Sequence, residues 1–135
     1  MKIILDPQVF NMQTYGGISR YYTEIFSRLK KNKKLSITLP IDSSNNVYVV
    51  NSGLLLKEKK LVTSLIKTLN VLGVSTRSLN RKINEKKTKT PLKNTHFDLF
   101  IPTYYDPYFL DFIEEKPFVL TVYDMIHELM PQYFI

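Results

Sequence analysis

The fold is decided by residues 2–39, which read KIILDPQVFNMQTYGGISRYYTEIFSRLKKNKKLSITL. The apolar run Lys2–Leu5 predicts a short strand, and Asp6-Pro7 ends it. Apolar side chains then recur at the spacing of one helix face, at Ile18, Tyr21, Tyr22, Ile25, Phe26 and Leu29. Alternating apolar and polar residues over 35–39 predict a second strand. Strand, helix and strand in this order indicate a parallel α/β unit.

The middle of the chain shows weaker patterns. Residues 7–15 are expected to form a loop, and Val47–Val50 predicts a third strand. Apolar residues between Leu61 and Leu72 have helical spacing, and Gly73 is placed to end that helix. Residues 74–95 contain few large apolar side chains, so we expect a polar helix followed by a mobile basic loop.

The sheet is expected to resume near residue 97. Phe97–Ile101 predicts a strand, and Asp106-Pro107 begins a short helix that runs to about Ile113. The continuous apolar run Phe118–Val122 is typical of a central parallel strand with both faces buried. Met125–Pro131 is expected to leave that strand as a loop. The predicted fold class is therefore α/β, with a parallel sheet flanked by helices.

Composition excludes several kinds of site. The 135 residues fit one domain, and 44% hydrophobic residues are enough for a buried core. Because the chain has no cysteine, it cannot form disulfides, thiolate zinc sites or cysteine nucleophiles. His96 and His127 are the only histidines, too few for a histidine-only metal cage. No apolar run approaches the ~20 residues of a spanning helix, so we expect a soluble, cytoplasmic domain. No cluster of metal-ligating residues is visible in the sequence, and we expect no metal or other cofactor.

The net charge of +7 is concentrated in one segment. Residues 57–93 carry eleven basic and two acidic side chains, while the rest of the chain has a charge of −2. A solvated face is the first interpretation, and an anionic membrane surface is the second. The residues assigned to such a surface are Lys59, Lys60, Arg81, Lys82, Lys86 and Lys87. Nucleic acid ranks a distant third, because this segment lacks interleaved aromatic residues and any nucleic-acid motif.

Candidate ligand-binding residues gather at three predicted strand ends. Ligands of parallel α/β sheets bind beyond the carboxyl ends of the strands. In this chain the three segments after such ends are Asp6–Gly17, Pro102–Asp106 and Tyr123–Glu128. Each of them collects polar or aromatic residues, which predicts a site where they meet.

Gly16 and Gly17 stand where the long amphipathic helix is expected to begin. Unobstructed backbone N–H groups at a helix N-terminus suit an anion or a sugar hydroxyl. The alternative is a tight turn that packs close to the sheet, and the spacing alone favours it. The pair forms neither a full dinucleotide-binding fingerprint nor a P-loop.

The other candidates have structural alternatives too. Asp124 follows a predicted strand and could bind a sugar or act as a base, or it could cap a neighbouring N–H group. His127 could exchange a proton near neutral pH, although a surface histidine is the favoured interpretation. Tyr104 and Tyr105 could form a shelf for a sugar ring or a buried wall, and the wall is favoured without further context.

Taken in order, these motifs resemble the N-terminal half of family 4 glycosyltransferases, the group 1 retaining enzymes of the GT-B fold. The resemblance covers nearly the whole chain and is closest to bacterial capsular and surface-polysaccharide transferases. Each motif is short, but the ordered set is fairly specific. The residues that carry it are Asp6-Pro7, Tyr15–Tyr21, Phe97–Tyr105, Lys116–Glu128 and Pro131.

The resemblance implies a Rossmann-like domain that mostly binds the acceptor, a glycan or lipid-linked glycan. A second, C-terminal domain would bind the nucleotide-sugar donor and carry a paired-glutamate motif. By position, Gly16 and Gly17 match the family's glycine loop, which lies near the donor phosphates and the acceptor, and Arg20 lies in the same motif. Asp124 matches the acidic residue after the central strand, and with Tyr104, Tyr105 and His127 it completes the candidate set.

Two departures from the family pattern matter. The family often has a histidine just before the aspartate, where it contacts the donor sugar, and this chain has Tyr123. His127 lies four positions further on and does not match. The chain also lacks anything that resembles the nucleotide-binding domain, so residues 1–135 are expected to be an incomplete acceptor-side domain without transferase activity alone.

The resulting hypothesis is the acceptor-binding part of a retaining glycosyltransferase located in the cytoplasm, at the inner face of the membrane. The competing hypothesis is a non-enzymatic basic module that binds nucleic acid or a protein partner through residues 57–93. The first predicts a cleft lined by Gly16, Gly17, Tyr104 and Asp124. The second predicts salt-dependent oligonucleotide binding and no affinity for sugars.

Overall fold

A three-stranded parallel sheet lies at the centre of the molecule. The computed structural model describes residues 1–41, 43–55, 68, 77–94 and 96–133. Within them the strands are β1 (Lys2–Leu5), β2 (Ser36–Thr38) and β3 (Leu99–Ile101), in the order β2-β1-β3. Both pairings are parallel, and Ile3 is paired with Ile37 on one side and with Leu99 on the other. The predicted α/β class with a parallel sheet is confirmed.

Helices flank this sheet. Their bounds are α1 (Gln8–Met12), α2 (Gly17–Leu29), α3 (Val47–Val50), α4 (Arg77–Asn94), α5 (Leu110–Ile113) and α6 (Ile126–Leu129). Single 3-10 turns cover Pro107–Phe109 and Pro131–Tyr133. None of the helices among the described residues is long and apolar enough to cross a bilayer.

The predicted amphipathic helix is confirmed as α2, which covers one face of the sheet. Of its periodic apolar side chains, those of Tyr22 and Phe26 are buried. Ile18, Ile25 and Leu29 are partly buried and pack against the same core. The core beneath it includes Ile3, Leu5, Val9, Leu39, Ile41, Val49 and Leu54. Because successive side chains of a strand point to opposite faces, Ile3 and Leu5 lie on this side while Ile4 points to the other.

The second face of the sheet has a smaller core. It consists of Ile4, Leu92, Phe97, Phe100, Phe109 and Ile113. The predicted helix after Asp106-Pro107 is confirmed in outline, as the 3-10 turn followed by α5. Asp106 caps the turn, because its Oδ1 accepts a hydrogen bond from the Tyr108 N–H at 3.1 Å.

Two short segments are helical, although the sequence predicts a strand for one and a loop for the other. Val47–Val50 is the helix α3 and not a strand. The side-chain oxygen of Asn46 accepts hydrogen bonds from the N–H groups of Tyr48 and Val49, which closes a helical turn against the β-propensity of the valines. Residues 8–12 form α1 and not a loop, and Val9 and Phe10 on it are buried.

The predicted central strand Phe118–Val122 is neither central nor buried. Residue 118 makes a single parallel bridge to Phe100, at the outer side of β3. The Phe100 N–H donates to the Pro117 carbonyl and the Val119 N–H donates to the Phe100 carbonyl, each at 3.1 Å. Val119 is 54% and Val122 56% exposed. The run is apolar as expected, but it stays exposed even though the Phe118 ring contacts the Phe109 ring at 5.2 Å.

The basic region and the C-terminal region also differ from their predictions. Within 74–95, the described residues 77–94 form the continuous helix α4, with Pro91 inside it, so the predicted loop is wrong there. The predicted helix of residues 61–72 and its cap Gly73 lie outside the described residues, apart from residue 68. The segment 125–131 contains the helix α6, where we expected only a loop.

Candidate functional site

A pocket of about 370 Å³ opens at the carboxyl ends of β1 and β3. Its lining is polar and aromatic, and it comes from the segment after β1, the segment after β3 and one face of α4. The lining residues are Asp6, Pro7, Gln8, Asn11, Met12, Arg81, Glu85, Tyr104, Tyr105, Asp106 and Tyr108. This is the position at which parallel α/β sheets bind their ligands.

Asp6 forms the floor of the pocket and is fully buried. Its Oδ2 accepts hydrogen bonds from the Gln8 N–H at 3.2 Å and from the N–H and hydroxyl of Thr103, both at 3.4 Å. Its Oδ1 accepts from the Tyr108 hydroxyl at 2.5 Å. One carboxylate therefore ties the end of β1 to the segment that follows β3.

Burial changes the proton affinity of this pair. Desolvation raises the pKa of Asp6 from 3.8 to about 6, although its hydrogen bonds with Tyr108, Thr103 and Gln8 oppose the rise. Burial also raises the pKa of the Tyr108 phenol, and the neighbouring Asp6 charge adds to that rise. Tyr108 is therefore a hydrogen-bond donor to Asp6 throughout the neutral pH range.

Gln8 closes the pocket from a second direction. Its side-chain amide donates to the Asp106 carbonyl and accepts from the Asp106 N–H, each at 3.0 Å. This paired contact holds α1 against the segment after β3. The rim is formed by α4, where the Arg81 guanidinium lies 3.6 Å from the Glu85 carboxylate. The Arg81 side chain is 60% and the Glu85 side chain 41% exposed, so the charged pair is accessible to solvent at the mouth.

The structure brings the predicted residues Tyr104, Tyr105 and Tyr123 together. The rings of Tyr104 and Tyr105 are 5.1 Å apart, and those of Tyr105 and Tyr123 are 5.8 Å apart. The Tyr105 hydroxyl accepts from the Tyr123 N–H, and the Tyr123 hydroxyl donates to the Thr103 carbonyl, both at 2.9 Å. Tyr104 and Tyr105 line the pocket, while Tyr123 supports Tyr105 from behind.

Tyr123 connects this cluster to α2. Its ring makes an edge contact with Tyr22 at 6.4 Å, and the Tyr22 hydroxyl donates to the Pro102 carbonyl at 3.1 Å. Burial raises the pKa of the Tyr123 phenol. The position where the resembled family often carries histidine is thus occupied here by a neutral phenol with a structural hydrogen bond.

The predicted glycine pair lies at the start of α2 but outside the pocket lining. Gly16 is the N-cap residue and Gly17 begins the helix. The side-chain oxygen of Gln13 accepts a hydrogen bond from the Ser19 N–H at 3.2 Å, so one donor of this N-terminus is already used. A Cβ on Gly16 would collide with that Gln13 amide, whereas a Cβ on Gly17 would meet no atom within 4 Å. Arg20 is exposed on the same helix.

We expect Gly16→Ala to lower the free energy of unfolding by about 1 kcal/mol, the usual value of a helix cap, because the added methyl group displaces the Gln13 amide from α2. Gly17→Ala is the matched control and should not destabilise the protein, since the site has space and alanine favours helix. Urea unfolding of the two variants measures the difference. Equal stabilities would contradict the assigned cap.

Asp124 and His127 do not reach the pocket. The Asp124 Oδ1 accepts from the Ile126 N–H at 3.3 Å, so the capping interpretation offered for this carboxylate describes its observed contact. Asp124 and His127 are both exposed. Of the four residues expected to share one cleft, only Tyr104 lines the pocket, while Gly16, Gly17 and Asp124 are outside its lining. No cluster of three potential metal ligands occurs within the described ranges.

Several pocket residues were missed from the sequence. The sequence pattern predicts Asp6 only as the residue that ends a strand, and it assigns no role to Gln8 or Tyr108. Only their positions in the sequence indicate that they belong to the site. Asp6 directly follows β1, and Tyr108 lies in the segment after the neighbouring strand β3. Arg81, assigned to a membrane surface, lies at the pocket mouth.

The other membrane-surface candidates are distributed differently. Lys82 and Lys86 line a separate groove along α4, and Lys87 is half-buried. Lys59 and Lys60 lie outside the described residues. Among the described residues, the predicted basic face is therefore represented by α4.

No family model, curated protein or solved structure matches this chain. The relation to family 4 glycosyltransferases therefore stays a prediction from the ordered motifs.

Proposed function

We propose that this chain is the acceptor-binding N-terminal part of a retaining glycosyltransferase. The parent reaction moves a sugar from a nucleotide-diphosphate sugar to a surface-polysaccharide or lipid-linked glycan acceptor. The observation that carries the proposal is the pocket beyond β1 and β3, with an aromatic wall and several hydrogen-bonding groups. The ordered sequence motifs that resemble family 4 transferases supply the reaction class.

The lining of the pocket suits a sugar. A pyranose ring has apolar C–H faces and a rim of hydroxyl groups, so it is bound by aromatic surfaces together with polar side chains. Tyr104 and Tyr105 offer the aromatic surface, with Tyr105 45% exposed. Asn11, Arg81 and Glu85 offer donors and acceptors around it. The cavity volume of about 370 Å³ accommodates one or two sugar units.

Donor binding and chemistry are assigned to a second domain. The resembled enzymes hold the nucleotide in a C-terminal domain and react in the cleft between the two domains, from which water is excluded. We propose that the nucleotide-binding domain is the partner of this one and that this chain alone does not transfer sugar. The parent enzyme is assigned to the cytoplasm, at the inner face of the membrane.

The proposal predicts that Tyr105→Ala weakens the binding of neutral saccharides about tenfold, because the aromatic wall is lost. Disaccharides of glucose, galactose and N-acetylglucosamine are titrated at millimolar concentration, and amide chemical shifts give the dissociation constants. Tyr133→Ala is the matched control, since this tyrosine is 75% exposed and does not line the pocket.

The expected pattern is loss of affinity in the Tyr105 variant and unchanged affinity in the Tyr133 variant. Shift changes should be centred on Asn11 and Tyr104, which line the pocket. If no saccharide shifts these residues, or if both variants bind equally well, the pocket is not a sugar site.

A basic binding module is the second candidate, and α4 is the observation that favours it. The helix Arg77–Asn94 carries seven basic side chains and one acidic side chain. This candidate requires tight, salt-dependent binding of a single-stranded oligonucleotide without any saccharide binding. The two titrations on the same sample therefore separate the two functions.

A further inference from the structure

A second concave surface lies beside the pocket, and we call it the lysine groove. It has a volume of about 440 Å³ and is lined by Lys82, Lys86, Lys89 and Lys93 of α4, with Glu85, Thr90 and Phe112. Positions 82, 86, 89 and 93 fall at helical spacing, so their side chains form one stripe about 16 Å long. The groove runs along this stripe where α4 faces α5.

Two of these ammonium groups are held at the groove by aromatic contacts. The Lys93 Nζ is 5.0 Å and the Lys89 Nζ 5.6 Å from the centre of the Phe112 ring. The Lys89 Nζ is also 5.8 Å from the Tyr108 ring. Cation–π contacts of this kind place the charges without neutralising them. Both ammonium groups are therefore kept near one ring despite their mutual repulsion.

The charge of the lysine groove is not balanced by its own lining. Among its described lining residues, Glu85 is the single acid against four lysines, and Glu85 is also paired with Arg81. Like charges collected in a concave surface raise the local concentration of anions. A phosphate group, with close to two negative charges and three strong acceptor oxygens, fits such a set of ammonium donors better than one carboxylate does.

The lysine groove and the pocket share a residue. Glu85 lines both, Arg81 lies one turn before it at the pocket mouth, and Tyr108 stands between the pocket and Lys89. The two cavities are therefore adjacent, on neighbouring faces of α4. A ligand that carries a sugar next to a phosphate has the chemistry to fill both.

We infer that the lysine groove binds the phosphate or diphosphate group of the acceptor whose sugar portion occupies the pocket. The acceptor class is then a phosphorylated saccharide, and this assignment rests on the proposed function. The phosphate could belong to a lipid headgroup or to a soluble sugar phosphate, since both present the same oxygens to Lys86, Lys89 and Lys93.

The test begins with inorganic pyrophosphate as the probe. The groove variant replaces Lys86, Lys89 and Lys93 with alanine, and the matched control replaces Lys31, Lys33 and Lys34, which removes the same charge elsewhere. We expect the groove variant to bind pyrophosphate at least tenfold more weakly and the control to change less than twofold. Circular dichroism confirms that both variants are folded. Equal weakening in both variants would overturn the site.

A second titration tests the link to the pocket. A hexose 1-phosphate should bind the native chain at least tenfold more tightly than the free hexose, and this gain should vanish in the groove variant. If the gain is absent while pyrophosphate still binds, the two cavities do not share a ligand and the inference is wrong. If pyrophosphate binds but neutral saccharides never occupy the pocket, the proposed function fails and the phosphate site stands.

Vesicles distinguish the two sources of phosphate. Binding to vesicles with phosphatidylglycerol but not to neutral phosphatidylcholine vesicles, lost in the groove variant and at high salt, identifies a lipid-borne group. Hexose phosphate binding without vesicle binding identifies a soluble acceptor. Binding of a single-stranded oligonucleotide more tightly than either probe would overturn the inference in favour of nucleic acid.

Discussion

Replacing Asp6 with alanine is expected to lower the free energy of unfolding by about 3 kcal/mol at pH 7. The change leaves four donors, the N–H groups of Gln8 and Thr103 and the hydroxyls of Thr103 and Tyr108, without their acceptor. Each such buried group costs about 1–3 kcal/mol. The loss is partly offset, because the ionised carboxylate is itself unfavourable at this buried site by about 3 kcal/mol net of its hydrogen bonds, as the rise of its pKa from 3.8 to about 6 indicates.

The variant Asp6→Asn removes the buried charge but keeps a hydrogen-bond acceptor, so the pH dependence of its stability separates these two effects. Because the folded protein raises the pKa of Asp6 from 3.8 to about 6, the native state binds a proton more readily than the unfolded chain does. The stability from this group is present below pH 3.8 and is lost as the pH rises through about 6. A shift of this size corresponds to about 3 kcal/mol.

Urea unfolding of the native chain and of Asp6→Asn between pH 4 and pH 8 measures this contribution. The native chain should lose stability relative to the variant as the pH rises over this range, and the variant should be at least as stable at pH 8. The difference between the two curves cancels the other carboxyl groups, including Asp98, whose pKa is lowered mainly by its hydrogen bond from the Lys2 N–H. A pH-independent difference would contradict the burial of an ionised Asp6.

Tyr22→Ala is expected to cost about 4 kcal/mol, the range of a buried large side chain removed from a core. Tyr22 is 1% exposed and its ring contacts Phe26 at 6.1 Å and Tyr123 at 6.4 Å. Its hydroxyl also donates to the Pro102 carbonyl, so α2 is attached through it to the end of β3. The variant should unfold at a markedly lower urea concentration and should also weaken saccharide binding through Tyr123 and Tyr105.

Two controls define the cause. Tyr22→Phe keeps the ring and loses one hydrogen bond, which we expect to cost about 1 kcal/mol. Tyr21→Ala removes a neighbouring ring that is 45% exposed on the same helix and should cost less than about 1 kcal/mol. A Tyr21 variant as unstable as the Tyr22 variant would contradict the assignment of this effect to core packing of Tyr22, because alanine favours helix at both positions.

The sequence predicted the elements whose signal is periodic and apolar. The helix α2 and the strands β1, β2 and β3 were all predicted within a few residues. The helix α4 was only half predicted, because its buried face contains Asn84 and Thr88 before Leu92. The Asn84 amide donates to the Asn11 side chain at 2.7 Å, so this face is held by polar contacts that a hydrophobic pattern does not contain.

The run Phe118–Val122 shows the opposite difficulty. The sequence shows that these side chains are mostly apolar. Whether they are buried depends on the elements that pack over them in the tertiary structure, which a local pattern does not contain. The run forms only one bridge to β3 and stays exposed. The short helices α1 and α3 were missed because each is a single turn or little more, fixed by individual contacts such as the Asn46 cap.

The location of the candidate site was predicted more successfully than the residues that form it. The strand-end rule identified the edge where the pocket lies, and it placed Tyr104 and Tyr105 there. It did not identify Asp6 or Gln8, because a carboxylate or amide after a strand is usually a turn residue. Contacts such as the one between Gln8 and Asp106 join positions 98 residues apart, and no local pattern encodes them.

The order of the strands has a consequence for biosynthesis. Of the three described strands, the central one, β1, is synthesised first, and its residue Ile3 needs partners at Ile37 and at Leu99. A nascent chain that has released β2 but not β3 therefore presents one whole edge of β1 with unpaired backbone groups. Such an edge invites pairing with other chains until residues 99–101 arrive. During the synthesis of residues 38–98, this edge of β1 is therefore without its native partner.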